Sequence, residues 1–202
     1  MIITKTYTNS PVNVKEVLRY AGANKATNEV LKMVEDCLTE AVNCFTYKVC
    51  YGEFPITKNG VNLDLGFLKT NSKDLIKNLD GCDSVVLFAA TVGTGIDRLI
   101  SKYSRISPAK ALIFQALGAE RIENLCDRFN KEITDIKISE NKFTKPRFSA
   151  GYGDFPLNMQ KDILGVLNCS KNIGVTLNDS LTMSPTKSVT AIIGVGSEKS
   201  GD

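Results

Sequence analysis

Hydrophobic positions along this chain recur at two spacings, one of three to four residues and one of two, and the switches between them outline its elements. Asn13 followed three residues later by Glu16 has the form of a capping box, opening a helix through Val17, Leu18 and Tyr20 that Gly22 ends. Over residues 27–45 the positions Val30, Leu31, Val34, Leu38, Ala41, Val42 and Phe45 place one apolar face on a second helix. The period then changes to two. Tyr47, Val49 and Tyr51 alternate, a Lys58-Asn59-Gly60 turn follows, and Val61, Leu63 and Leu65 alternate again, which predicts a β-hairpin over 46–67. After a short helix at 72–79, Ser84-Val85-Val86-Leu87-Phe88-Ala89-Ala90 is apolar at almost every position, as in a strand covered on both faces.

Ser107-Pro108 supplies an N-cap and a first-turn proline for the longest helix, predicted to reach about Ile133. Its inward stripe is Leu112, Ala116, Ala119, Ile122, Leu125, Cys126 and Phe129. Further on, Asp154 is placed to cap a helix carrying Leu157, Ile163, Leu164 and Leu167. Val175-Thr176-Leu177, a Met183-Ser184-Pro185 turn and a strand over Ser188–Val195 complete the pattern, and the small, charged residues 196–202 read as a frayed end. No internal repeat and no long linker divides the chain. These elements give an α+β fold, a single compact domain over residues 1–202 with a mixed or antiparallel sheet flanked by helices.

Composition narrows the chemistry. The 202 residues are 43% hydrophobic and carry 25 basic and 22 acidic side chains, mixed along the chain, which suits a globular core and gives no basic stripe for nucleic acid. There is no histidine, so a serine-histidine triad within this chain is excluded, as is the commonest zinc ligand. Six cysteines stand apart with no CxxC pair, which argues against a zinc ribbon, a redox dithiol or an iron-sulfur cluster and for reduced, buried thiols. No apolar run is long enough for a membrane span, and the N-terminus lacks the apolar region of a signal peptide, so a soluble cytoplasmic protein without membrane contact is expected.

Two glycine-containing turns invite a ligand. Thr91-Val92-Gly93-Thr94-Gly95 joins a strand to a helix, but Arg98 stands where the dinucleotide fingerprint needs its third glycine, which favours a tight structural turn. The stretch Arg147-Phe148-Ser149-Ala150-Gly151-Tyr152-Gly153-Asp154-Phe155-Pro156 is richer. Arg147 offers a planar donor fork for a carboxylate or phosphate, the glycines admit close backbone approach, and Tyr152 adds an apolar plate with a polar tip. By its residues alone the loop is either a cradle for a small charged molecule or a rigid turn whose arginine pairs with a neighbouring acid. Glu123 lies beside the apolar stripe of the long helix between the small residues Ala119 and Cys126, with room above it for another group. A solvated helical glutamate fits the spacing equally.

Arg147, Gly151, Tyr152 and Pro156 form an RxxxGY motif with a nearby proline. Downstream, Leu177-Asn178-Asp179-Ser180-Leu181-Thr182-Met183-Ser184-Pro185 and Ser188-Val189 form a second landmark. Together they resemble the activation domain of cobalamin-dependent methionine synthase, the module that binds S-adenosylmethionine (AdoMet) and restores the enzyme after its cobalt is oxidised. The resemblance runs from about Leu112 to Gly194, so residues 107–195 correspond to the AdoMet-binding half and 1–106 to a divergent N-terminal half. VNVKEVLRYAGA and SVVLFAATVGTGID look like the short, free-standing members that serve a separate synthase.

The resemblance implies AdoMet contacts from Arg147, Glu123, Ser149 (through its backbone), Gly151 and Tyr152, with no catalytic and no metal-binding residue of the chain's own. An N-terminal aspartate and a C-terminal tyrosine of the fused domain have no clear counterpart, and Ile192-Ile193-Gly194 stands in the region of the latter. The implied reaction is reductive methylation. Cobalamin is carried by the partner, a methionine synthase or another corrinoid protein, and takes an electron, commonly from flavodoxin, and then the AdoMet methyl group. An AdoMet-responsive binding module without methyl transfer is the non-enzymatic alternative.

Overall fold

The computed structural model describes residues 1–23, 25–59 and 62–197. Strand β1 (Ile3–Tyr7) precedes α1 (Val14–Tyr20) and α2 (Asn28–Ala41), and β2 (Tyr47–Pro55) leads into the short strands β3 (Thr57–Asn59), β4 (Asn62–Asp64) and β5 (Lys69–Thr70). Helix α3 (Lys73–Asn78), strand β6 (Ser84–Thr91) and helices α4 (Gly95–Ile106) and α5 (Pro108–Ser139) follow. The last third contains β7 (Lys142–Thr144), a 3-10 turn (Leu157–Met159), α6 (Gln160–Val166), α7 (Cys169–Ile173), β8 (Thr176–Leu177), β9 (Met183–Ser184) and β10 (Ser188–Ser197).

Five strands form one sheet in the order β1-β2-β6-β10-β7, with every neighbouring pair antiparallel. The apolar run of β6 has a simple cause in this position. Val86, Phe88 and Ala90 join a core shared with α1, α2, α4 and α5, whereas Val85, Leu87 and Ala89 join a second core with α3, α6 and α7. The period-two pleat therefore buries both of its faces. β10 does the same, with Ala191 and Ile193 on the first side and Ile192 on the second. The α+β class and the helix-flanked antiparallel sheet agree with the sequence reading.

Several local expectations change. The stretch from Tyr47 does not pair back on Leu63. β2 runs between β1 and β6, with Tyr51 opposite both Ile3 and Phe88, and β4 instead pairs with β3 and β5 in a separate three-stranded sheet. The Gly60 turn itself, Val61 and the end beyond Ser197 lie outside the described residues. Strand β1 carries no strong signal in Ile3-Thr4-Lys5-Thr6-Tyr7, a short edge strand with only two partly buried residues besides its exposed ones. Helix α2 ends at Ala41 and α5 continues to Ser139. Leu112 is exposed because Ile113, Phe114, Ala116 and Leu117 occupy the inward positions of that turn.

The glycine turn before α4 is structural. A Cβ on Gly95 would lie under 3.0 Å from the Cys44 carbonyl, and one on Gly93 would collide with the Thr46 hydroxyl. Close approach of the α2–β2 connection accounts for both glycines without a bound phosphate. The Asn13 side chain accepts from the Glu16 N–H as expected, but Glu16 does not close the box: it pairs with Arg19, while the Asn13 N–H donates to Glu120.

Candidate functional site

Helix α5 contributes one wall of the site. Ser107 caps its first turn by accepting from the Lys110 N–H. Midway along it, Glu120 and Arg121 are buried as an ion pair. Arg121 also donates to the backbone carbonyls of Ser10 (2.6 Å) and Pro11 (3.0 Å), binding the segment before α1 onto α5. One turn further, Glu123 is partly exposed. Its carboxylate accepts from Arg147 Nη2 at 2.5 Å, and Asp127 accepts from Nη1 of the same guanidinium at 2.8 Å.

Arg147 reaches this position because the chain after β7 remains paired to the sheet. The Lys145 N–H donates to Gly194, and Phe148 and Ile192 exchange both backbone bonds at 2.8 Å. Phe148 then points into the second core with Phe155 and Ile192. Pleat alternation directs the preceding residue, Arg147, to the other side, toward α5. Cys126 lies beneath the cluster, where burial pushes its thiol up to about 12 against the opposing pull of Arg147. That thiol is protonated at neutral pH and is no nucleophile.

The remaining predicted residues form the turn that follows. Ser149 accepts from the Tyr152 N–H at 3.2 Å, Gly151 donates to the Phe155 carbonyl at 2.8 Å, and Phe155 donates to Tyr152. Tyr152 is 70% exposed and meets Phe148 edge to face at 5.5 Å. The structure thus joins Arg147 directly to Glu123, while Ser149, Gly151 and Tyr152 bond within the loop beside them.

Asp154 corrects the sequence reading. It caps not the helix after it but α3, some eighty residues earlier, accepting from the Ser72 hydroxyl, from Lys73 N–H at 2.8 Å and from Asp74 N–H at 3.2 Å. The Ser72 hydroxyl, then burial in the opposite sense, then these backbone donors determine its acidity, and the net effect lowers its pKa. Asp74 returns the bond by accepting from the Asp154 N–H. At the other end of α3, Asn78 donates to the Pro146 carbonyl at 3.3 Å. Helix α3 therefore clasps the loop on both sides, at Pro146 and at Asp154. The contacts of Ser72, Asp74 and Asn78 with this loop, distant along the chain, carry no local signal. Asp127 did have one, being a carboxylate one turn after Glu123.

A cleft of about 300 Å³ between α1 and α5 is lined by Glu123 and Asp127 together with Glu16, Arg19, Glu120 and Asn124 among others. A larger cavity of about 430 Å³ lies between α6, α7 and β8 and contains none of the predicted residues. The cleft is the better candidate because Glu123 and Asp127, the two acceptors of Arg147, line it, whereas Arg147, Ser149, Gly151 and Tyr152 stand outside its lining. The second landmark forms the β8–β9 hairpin, whose turn is held by the Asn178 side chain accepting from Thr182 N–H and by Gln160 donating to Leu181 at 2.6 Å. Among the described residues no group of three or more His, Cys, Asp or Glu is placed to hold a metal ion, and no helix is long and apolar enough to cross a membrane.

Residues 64–200 match the family model of the vitamin B12 dependent methionine synthase activation domain. The chain belongs to this family. No curated protein matches it. Among solved structures it is similar to a crystal structure of the MetH reactivation domain bound to AdoHcy, with a TM-score of 0.70 and 14% identity, over 100% of this chain and 80% of that one. At that identity the likeness concerns the fold. Membership in the activation-domain family covers α5, the Arg147 loop and the β8–β9 hairpin, so both sequence landmarks lie within it.

Proposed function

We propose that residues 1–202 act as a single activation-domain unit that binds AdoMet at Arg147 and Glu123 and supports reactivation of a cobalamin-dependent methionine synthase. The observation that carries this reading is the Arg147–Glu123 pair. The two residues are 24 positions apart, lie on a loop and a helix, and meet at 2.5 Å. AdoMet has a carboxylate and an ammonium on one carbon, so its amino-acid end needs a cation and an anion a few ångströms apart, which this pair supplies. Its reported relative in complex with AdoHcy shares the fold and adds support.

The ligand carboxylate takes the Arg147 donor fork by displacing Glu123 and Asp127 from its two Nη atoms, and the released Glu123 faces the ammonium or the ribose hydroxyls. Backbone at Ser149 and Gly151 borders the adenosine, and the exposed ring of Tyr152 offers it a flat surface. No residue of this chain needs to act as acid, base or metal ligand. Cobalamin, carried by the partner, supplies the nucleophilic metal centre when bound, and a flavodoxin-type donor supplies the electron. The chain's own work is to place and orient the methyl donor. The cytoplasm is the compartment consistent with this role and with six free thiols.

Calorimetry with AdoMet tests the site. The parent chain is expected to bind, and Arg147→Ala to bind about ten- to hundredfold more weakly, the loss of a charge-assisted bidentate contact. Equal binding by the variant would remove Arg147 from the site. Methyl-labelled AdoMet mixed with a reductant and candidate corrinoid proteins then tests the client: label on the cobalt of methionine synthase supports the proposal. Label on a different corrinoid methyltransferase, or partner binding without label, would replace it.

A further inference from the structure

The pairing of charges around Arg147 leaves one carboxylate in excess. Along the cleft, Glu16 is matched by Arg19 at 2.6 Å, and Glu120 by Arg121. Arg147 alone faces two acids, Glu123 and Asp127. One guanidinium against two carboxylates gives the site a surplus of one negative charge, and Asp127, on the more exposed side with 73% of its side chain accessible, supplies it.

We propose that Asp127 is a specificity residue that makes this site prefer the sulfonium form of its ligand over the thioether that remains after methyl transfer. The inference rests on the reading that the Arg147 cluster holds AdoMet. At neutral pH AdoMet carries a carboxylate, an ammonium and a sulfonium, for a net charge of about +1, whereas S-adenosylhomocysteine lacks the sulfonium and is neutral overall. When the methyl group leaves, the carbon–sulfur bond breaks, its electron pair stays on sulfur, and the methyl acceptor brings the pair that forms the new bond. The ligand thereby loses one positive charge while the site keeps its excess negative one. Substrate is held more firmly than product, and product leaves more readily.

The carboxylate and ammonium are common to both ligands, so their interactions cancel in the ratio of affinities. Only the sulfonium differs. A unit charge within about 5–10 Å of the sulfur, through a largely aqueous path, changes that ratio roughly two- to fivefold, and added salt weakens the effect. Asp127→Asn keeps the shape and removes the charge at an exposed helical position.

Titration of the full chain and of Asp127→Asn with AdoMet and with S-adenosylhomocysteine, each at low and high salt, is the test. The AdoMet preference is expected to fall about two- to fivefold in the variant, with thioether affinity unchanged or tighter because Arg147 has lost a competing partner. High salt should reduce the preference of the parent and have less effect on the variant. An unchanged ratio, or an equal loss for both ligands, would overturn the inference and leave Asp127 a structural partner of Arg147. If the parent binds neither ligand, the binding reading falls first and this inference with it.

Discussion

Replacing Gly153 by alanine separates two effects that the loop geometry superimposes. Gly153 has φ +55°, and a Cβ there would lie under 3.0 Å from the Asp74 carboxylate, the group that accepts the Asp154 N–H. A left-handed alanine costs about 1–2 kcal/mol, less about 0.4–1 kcal/mol because alanine also restricts the unfolded chain. The collision adds about 1–3 kcal/mol, as overpacking does elsewhere, unless Asp74 swings away and opens the clasp. A net destabilisation of about 1–4.5 kcal/mol follows, or a fall of roughly 2–18 °C in the unfolding midpoint of a chain this size.

Two assays check this reasoning. Thermal unfolding measures the total, and amide hydrogen exchange over residues 148–156 shows whether the loop loosens. The discriminating step repeats Gly153→Ala in an Asp74→Ala background. With the obstructing carboxylate gone, only the backbone contribution should remain, and the two substitutions should couple strongly. If Gly153→Ala has the same effect whether or not Asp74 is present, the steric account of the clasp is wrong. If neither stability nor loop exchange changes at all, the left-handed backbone at Gly153 does not constrain the loop.

Arg121→Met removes the partner of a buried carboxylate and two anchors of the segment before α1, so it should destabilise the chain by about 3–5 kcal/mol and deprotect residues 8–13 to exchange. Adding Glu120→Gln should recover part of that loss. In thiol labelling at pH 8 the partly buried Cys44 should react before Cys37 and Cys126, whose thiols burial pushes up to about 11 and about 12. Asp154 has its pKa lowered in the folded chain, first by the Ser72 hydroxyl. Its clasp is therefore fully formed above the ordinary aspartate value of about 3.9 and is lost only as pH falls through the lower folded value. Exchange protection of the loop should stay constant from neutral pH to about 5, and loosening within that range would refute the assignment.

How much of this the chain announced depends on the range of each signal. The double-faced burial of β6 is legible because six consecutive apolar residues, Val85 to Ala90, demand it. Arg147 and Glu123 stand out as candidates against their local pattern, a fixed cation in a glycine loop and a carboxylate beside an apolar stripe, but their contact across 24 positions has no local signal. Asp154 misled for the same reason: an acid before a helical segment is a good local cap, but the donors of α3 compete for it and win through tertiary contact. Leu112 failed similarly, since the helix turn offers more apolar positions than the sheet can cover. No periodicity could place β1 on β2, because an exposed edge strand of five mixed residues has little to bury.

The candidate site spans the boundary between the two cores, and this sets what can disturb it. Glu123 and Asp127 are carried by α5, which packs with Leu125, Cys126 and Phe129 in the core on one side of the sheet. The chain segment bearing Arg147 is fixed through Phe148 in the core on the other side. The two are held together where Phe148 exchanges backbone bonds with Ile192, a residue of the shared strand β10, next to the Lys145–Gly194 bond. A core substitution far from any ligand, such as Ile192→Ala, should therefore act on the site by shifting the edge segment relative to α5. Deleting these methyl groups costs about 2–5 kcal/mol of stability. Its mark on binding should be a loosened Arg147–Glu123 spacing, weaker for the whole amino-acid end of the ligand and indifferent to the charge on sulfur, the opposite of what removing the Asp127 charge does.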